Sequence, residues 1–153
     1  MKRTGRHGLT WLLWCWAVLG SPVWAQEDGR MVRHGEYSIH YQVMPSTFLQ
    51  PDIAAAYGVV RARNRSLVMV SVRRGEEFDS TPSRALVTGT RADLVHRHEL
   101  SFRELEQRGA IYYIADFSHG REDLLTFRLE VQPGGAGEAA YPLEFTHTVY
   151  WEP

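Results

Sequence analysis

"LLTFRLEVQ", Leu124 to Gln132, decides the fold: Leu125, Phe127, Leu129 and Val131 share one parity, while Thr126, Arg128 and Glu130 hold the other. Successive side chains of a strand point to opposite faces, so this period of two describes a strand with one face in a core and one in water. On a helix the same four apolar residues would be split between two sides of the cylinder. The next run, "YPLEFTHTVYW" from Tyr141 to Trp151, repeats the alternation with Leu143, Phe145, His147, Val149 and Trp151. The run before it, "AIYYIADF" from Ala110 to Phe117, is rich in β-formers. Turn-forming stretches, "SHGRED" and "PGGAGEA", separate the three.

The same reading extends toward the N-terminus. "SLVMVSVRR", Ser66 to Arg74, is apolar on both faces at its centre, as a central strand is, and "GEEFDSTPS" ends it with turn residues. Tyr37, Ile39, Tyr41 and Val43 oppose Ser38, His40 and Gln42, a half-buried strand. "RALVTGT" is a shorter strand candidate, and in "DLVHRHELSFREL" the alternation of Leu94, Leu100 and Phe102 favours strand over helix. About seven short strands with turns between them, no internal repeat and no second domain predict an all-β chain, an antiparallel immunoglobulin-like β-sandwich.

One stretch departs from that pattern. In "STFLQPDIAAAYG", Ser46 to Gly58, Pro51 suits the first position of a helix, Asp52 puts negative charge in its first turn, and Gly58 is a natural stop. The helix expected over Pro51 to Tyr57 has only two turns, too few to stand alone. Phe48, Leu49, Ile53 and Tyr57 are the apolar side chains expected to dock it. Beyond it Arg61, Arg63, Arg65, Leu67 and Met69 share one parity, so the insert is expected to cap the outer face of the following strand over Leu67 and Met69.

The first twenty-five residues read as a secretory signal. Lys2, Arg3 and Arg6 make a positive start, "LTWLLWCWAVLG" is an apolar run shorter than the ~20 residues that span a bilayer, and Val23 and Ala25 occupy the small-residue positions of a cleavage site. Cleavage after Ala25 would leave 128 residues, a single domain over 26–153, periplasmic and without a stable membrane anchor. Cys15, the only cysteine, lies in the removed segment, so neither disulfide nor thiol chemistry is expected. The chain has 17 Lys+Arg and 18 Asp+Glu; removal of Lys2, Arg3 and Arg6 leaves 14 against 18, a net charge of −4. That balance argues against nucleic acid as a partner, because phosphate binding needs concentrated positive charge.

"STFLQPDIAAAYG", "RARNRSLVMVSV" and "AIYYIADF", in this order and spacing, resemble the DUF4426 family of bacterial exported proteins. Ser46, Thr47, Phe48, Leu49, Tyr57, Gly58, Asn64 and Arg65 follow its pattern, whereas Ala62 and Arg63 stand where the pattern has Ser and Lys. The resemblance covers nearly all of the chain after the signal. It implies a single exported domain of Gram-negative bacteria with no assigned activity.

The motifs of catalysis are missing from residues 26–153: no cysteine, no Gly-x-Ser-x-Gly, no His-Glu-x-x-His and no phosphate-cradling glycine loop. "DFSH" gathers Asp116, Ser118 and His119, but adjacent residues at a strand end do not place His between Ser and Asp, and a solvated turn is expected. Glu76, Glu77, Glu122 and Asp123 are expected in solvated loops. The chain is therefore read as a non-catalytic binding or accessory domain with no cofactor, serving an unknown periplasmic protein or a small anionic ligand. The candidate surface is Tyr57, Arg61, Arg63, Asn64 and Arg65, where guanidinium forks can hold a carboxylate or phosphate. Against this stands a structural role, with the arginines pairing to acids or packing their stems over Tyr57. The alternative function is transition-metal binding by His96 and His98, whose spacing puts both rings on one face of a strand, with a third ligand from His147, His40 or His119. An unrecognised hydrolase is the third reading.

Overall fold

The computed structural model describes residues 30–76 and 78–152; the expected signal segment with Cys15, the expected cleavage site, Glu77 and Pro153 lie outside the described residues. Among the described residues ten strands follow one another: β1 (Arg30–His34), β2 (Tyr37–Pro45), β3 (Arg65–Arg74), β4 (Thr81–Pro82), β5 (Ala85–Ala92), β6 (Arg97–Glu99), β7 (Arg103–Gln107), β8 (Ala110–Ser118), β9 (Glu122–Pro133) and β10 (Tyr141–Tyr150). They form two antiparallel sheets. In one the order is β1-β2-β3-β8-β7, with β4 beside β3; in the other it is β10-β9-β5-β6. With β1, β4 and β6 set aside, seven strands remain. Their first, second, fifth and fourth form one sheet and their seventh, sixth and third the other. That is the strand order of the ABED and CFG sheets of a constant-type sandwich.

The expectation of about seven strands thus describes the frame, and the three additions have physical reasons. β1, "RMVRH", carries too much charge to announce itself and forms because β2 offers it an edge. "DLVHRHELSFREL" is two strands on different sheets: β6 pairs with β5 and β7 pairs with β8. Leu100 is buried where the chain crosses between them, its N–H donating to the Gly89 carbonyl at 2.9 Å. Glu122 and Asp123 belong to the start of β9 rather than to a loop.

The core lies between the sheets. Ile39, Val68, Val70 and Val72 from one sheet meet Leu125, Phe127, Leu129, Val131, Leu143 and Phe145 from the other, with almost no exposure. An aromatic series crosses it: Tyr41 packs on Phe145 at 4.5 Å between centroids, Phe145 on Phe127 at 5.0 Å, and Phe127 on Phe117 at 5.6 Å. Gly89 of β5 faces Leu129 of β9, and a Cβ built there would come within 2.6 Å of the Leu129 side chain and 2.5 Å of a backbone oxygen. Only glycine lets the two strands keep this register. A polar tie also joins the sheets, the Tyr113 hydroxyl accepting from the Ala85 N–H at 2.8 Å and donating to Glu104 at 2.9 Å.

Between β2 and β3 the chain makes a 3-10 turn, Ser46–Phe48, and one helix, α1 (Pro51–Ala56). Pro51 opens α1, Tyr57 closes it, and Gly58 follows with φ +63, the left-handed conformation that ends helices at glycine. As expected, the insert covers the outer face of β3. Ala54 and Val59 pack with Leu67, Leu105 and Ile114 in a second core, joined by Leu49, Tyr57 and Met69 at its margin. The expectation fails at Phe48, which is 68% exposed. The turn directs Phe48 outward and buries Ser46 instead, whose hydroxyl accepts from the Ala62 N–H at 3.0 Å and donates to the Ala62 carbonyl at 3.2 Å. A serine hydroxyl, with one donor and two acceptor sites, pins both ends of the insert together.

Candidate functional site

The five residues of the candidate surface take different places. Tyr57 is half-buried at the end of α1 in the second core. Arg61 and Arg63 precede β3, in the connection rather than on a strand face. The Arg61 guanidinium donates to the Thr47 carbonyl at 2.9 Å, and the Arg63 Nε to the Glu152 carbonyl at 2.7 Å. Asn64 is exposed, and its carbonyl accepts the His119 N–H at 3.0 Å. Arg65, the first residue of β3, reaches Asp116 on β8. The arginines of this stretch thus engage the chain itself.

Asp116 is the residue whose role the sequence reading missed. Its side chain is 13% exposed, and its two carboxylate oxygens pair with Arg65 and Arg103, one each. Arg103 also donates to the Gly58 carbonyl at 3.2 Å, tying β7, β8, β3 and the end of the insert into one network. A carboxylate on an apolar strand face must be paired; Asp116 shares its face with Ile114, and that is the signal in the sequence. His119 is buried rather than in a solvated turn. Its Nδ1 lies 2.8 Å from the Gly120 carbonyl, which only accepts, so Nδ1 carries a proton, and its Nε2 is hydrogen-bonded to the Ser66 hydroxyl at 3.0 Å. Asp116, Ser118 and His119 therefore do not converge.

His96 and His98 stand at the exposed β5–β6 hairpin with ring centroids 6.2 Å apart. Asp93 closes the turn, one carboxylate oxygen accepting from the N–H groups of Val95 and His96 at 2.7 Å each. The N–H of His96, then that of Val95, hold the Asp93 carboxyl below the ordinary aspartate value. Among the described residues, no group of three His, Cys, Asp or Glu side chains is placed to hold a metal ion. His40 is on the other sheet and His119 is bonded to Ser66.

A hollow opens on the outer face of the six-stranded sheet beside the insert. Strand register builds this face row by row. Arg33, Ser38, Arg73 and Pro82 form one row across β1, β2, β3 and β4. Met31, His40 and Ser71 form the next, and Gln42, Met69, Ile114 and Arg103 the one after. Met44, Leu67 and Asp116 follow, under the insert. The hollow has a volume of about 350 Å³, and its walls include Arg30, His40, Gln42, Met69, Ser71, Arg73 and Tyr112; none of its described lining residues is Asp or Glu. A smaller hollow of about 220 Å³ shares His40 and Arg73 with it and adds Arg33. Arg73 is held in place by Ser80, its Nε donating to the hydroxyl at 2.8 Å and a terminal nitrogen to the carbonyl.

Residues 31–152 match the family described as Domain of unknown function (DUF4426). The chain belongs to the DUF4426 family. The crystal structure of a DUF4426 family protein from Pseudomonas aeruginosa PAO1 is similar, with a TM-score of 0.73, 30% identity, and coverage of 84% of this chain and 99% of that one. FetP of uropathogenic Escherichia coli strain F11, expressed recombinantly in the periplasm of E. coli BL21(DE3), superimposes with a TM-score of 0.54 at 10% identity, covering 82% and 96%. A copper-bound variant of that FetP gives 0.51 at 11%, covering 81% and 95%. At such identity the likeness of this DUF4426 chain to FetP is one of fold. No curated protein matches the chain. Among the described residues, no helix is long and apolar enough to cross a membrane.

Proposed function

We propose that this DUF4426 domain is an exported, non-catalytic binding domain that holds a small anionic ligand on the outer face of its six-stranded sheet. The observation that carries this reading is the hollow of about 350 Å³, furnished with Arg30, Arg73, His40, Ser71 and Gln42 and with no carboxylate among its described lining residues. Its volume lies in the range of small-molecule sites, and a lining with guanidinium, hydroxyl and amide donors and no acid among its described residues favours an anion. The non-catalytic reading is supported by the way the candidate reactive groups are engaged: Ser66 is buried against His119, and Asp116 is taken by two arginines. Periplasmic location is supported by the charged start, the short apolar run and the small residues at Val23 and Ala25. The metal reading has less support, since His96 and His98 supply two donors on an exposed hairpin.

The test is direct. Protein purified from the periplasm of a Gram-negative host should begin at Gln26 by N-terminal sequencing, and native mass spectrometry should show a small adduct that denaturation releases as an anion. A chain that begins at Met1 in the membrane fraction contradicts export. Ligand-free protein that binds no member of a panel of small anions contradicts the binding reading.

A further inference from the structure

The outer face changes character along the strands. The row of Arg33 and Arg73 is cationic, the row of His40 and Ser71 is polar, and the row of Gln42, Met69, Ile114 and Arg103 is apolar at its centre, where Met69 and Ile114 lead into the second core beneath α1. Residues of one face recur every second position at ~3.3–3.4 Å per residue, so each row lies about 7 Å from the next and Arg73 is about 13 Å along the strand from Met69. Tyr112 and Ala110 of β8 complete the apolar side of the same hollow, and Pro82 closes it beside Arg73. Arg30 of β1, level with Tyr41, also lines the hollow on the side away from β8 and donates to the Thr146 carbonyl at 3.3 Å, so the groove has a charged end at Arg73 and an apolar end on its β3–β8 side, over Met69 and Tyr112.

We infer that the ligand of this groove is an elongated amphipathic organic carboxylate, with its acid group at Arg73 and its apolar body lying over Met69 and Tyr112 toward the insert. The inference rests on the binding reading above and adds the class of ligand. One guanidinium, oriented by Ser80, suits the planar fork of a carboxylate. Arg33, the other cation of that row, is shared with Glu76 at 3.3 Å, so the charged end suits one acid group better than two. The apolar end has few donors for a sugar or a second phosphate, and burying such groups there without partners would cost affinity. An alkyl or aryl body gains by covering Met69 and the Tyr112 ring.

Sodium octanoate, with sodium acetate and inorganic phosphate as comparisons, tests this in calorimetric titrations of the protein comprising residues 26–153. Octanoate should saturate a single site, and acetate and phosphate should bind at least tenfold more weakly. Arg73→Gln should weaken octanoate at least tenfold. Because Arg73 also anchors Ser80, Ser71→Asp serves as a second variant: it puts a like charge in the middle of the groove, leaves that anchor in place and should weaken octanoate to a similar degree. Circular dichroism checks the fold of both variants. If octanoate, acetate and phosphate bind alike, the amphipathic ligand is refuted while the anion-binding reading stands. If none binds, both are refuted. Octanoate binding that neither folded variant weakens locates the site elsewhere and overturns the inference.

Discussion

Asp116 is a single residue on which three strands and the insert depend. Its partners Arg65 and Arg103 keep 28% and 41% side-chain exposure, so water screens the pairs in part. Removing the carboxylate leaves two guanidiniums with no anion on a face that is otherwise apolar. Breaking a fully buried pair costs ~3–5 kcal/mol, and discounting for exposure gives about 2 kcal/mol for Asp116→Ala. Denaturant unfolding should show that loss, and an unchanged midpoint would mean that the network contributes nothing. The parity of Asp116 with Ile114, and of Arg65 with Leu67, was legible in the sequence; that the two rows face each other depends on the pairing of Leu67 with Asp116 across β3 and β8, which no local pattern encodes. Asp93 supports a second prediction at this scale. Its pKa is lowered in the folded chain, so its stabilisation of the turn is complete above the unfolded aspartate value and is lost as the pH falls through the depressed one. An NMR titration should find the Asp93 carboxyl ionising below an aspartate in an unfolded peptide, with the Val95 and His96 amides moving in the same step. A midpoint at or above the peptide value would refute the turn's role.

Among the elements, the insert shows where pattern reading succeeds and where it stops. Pro51, Asp52 and Gly58 mark α1 because caps and stops are local chemistry, and the apolar parity of Leu67 and Met69 on an outer face requires a cover. Phe48 was misread because size and apolarity say nothing of direction, and the 3-10 turn that rotates it outward depends on the distant Ser46–Ala62 hydrogen bonds. Phe48→Ala should therefore change stability by no more than about 0.5 kcal/mol, as exposed substitutions do. Ala54→Leu, at a position 2% exposed beneath the helix, should cost ~1–3 kcal/mol by overpacking. Thermal unfolding of the two variants separates the possibilities, since the reverse order of effects would undo the placement of α1. The β5–β6 hairpin is the other element with a stated expectation. With no group of three His, Cys, Asp or Glu side chains placed to hold a metal among the described residues, added Zn(II) should leave the melting temperature where it is. A stoichiometric rise that is abolished in the His96→Ala, His98→Ala pair would revive the metal reading.

Across the whole molecule, the two-sheet architecture could be read from the alternating strands β2, β3, β8, β9 and β10, because half-buried strands of period two need a second layer to cover them. The groove could not. It is assembled by register across β1, β2, β3, β4 and β8, and its charged and apolar residues come from alternate rows of these five strands. The two sheets are joined instead through the aromatic series of the core. Phe127 of β9 is fully buried, stacked on Phe145 of its own sheet and in contact with Phe117 of the other, so it holds both sheets at once. Phe127→Ala should cost about 3–5 kcal/mol. In protein comprising residues 26–153, Trp151, just after β10, is the one tryptophan, and its ring lies 5.3 Å from the Arg121 guanidinium, which makes it a reporter for one end of the four-stranded sheet. Far-UV circular dichroism reports both sheets together. In the variant, as in the parent protein, the two signals should pass through a single common midpoint, displaced to lower denaturant by the same amount. If Trp151 fluorescence moved while most of the dichroism stayed behind, the sheets would be unfolding separately, and the aromatic series through Phe127 would not be what couples them.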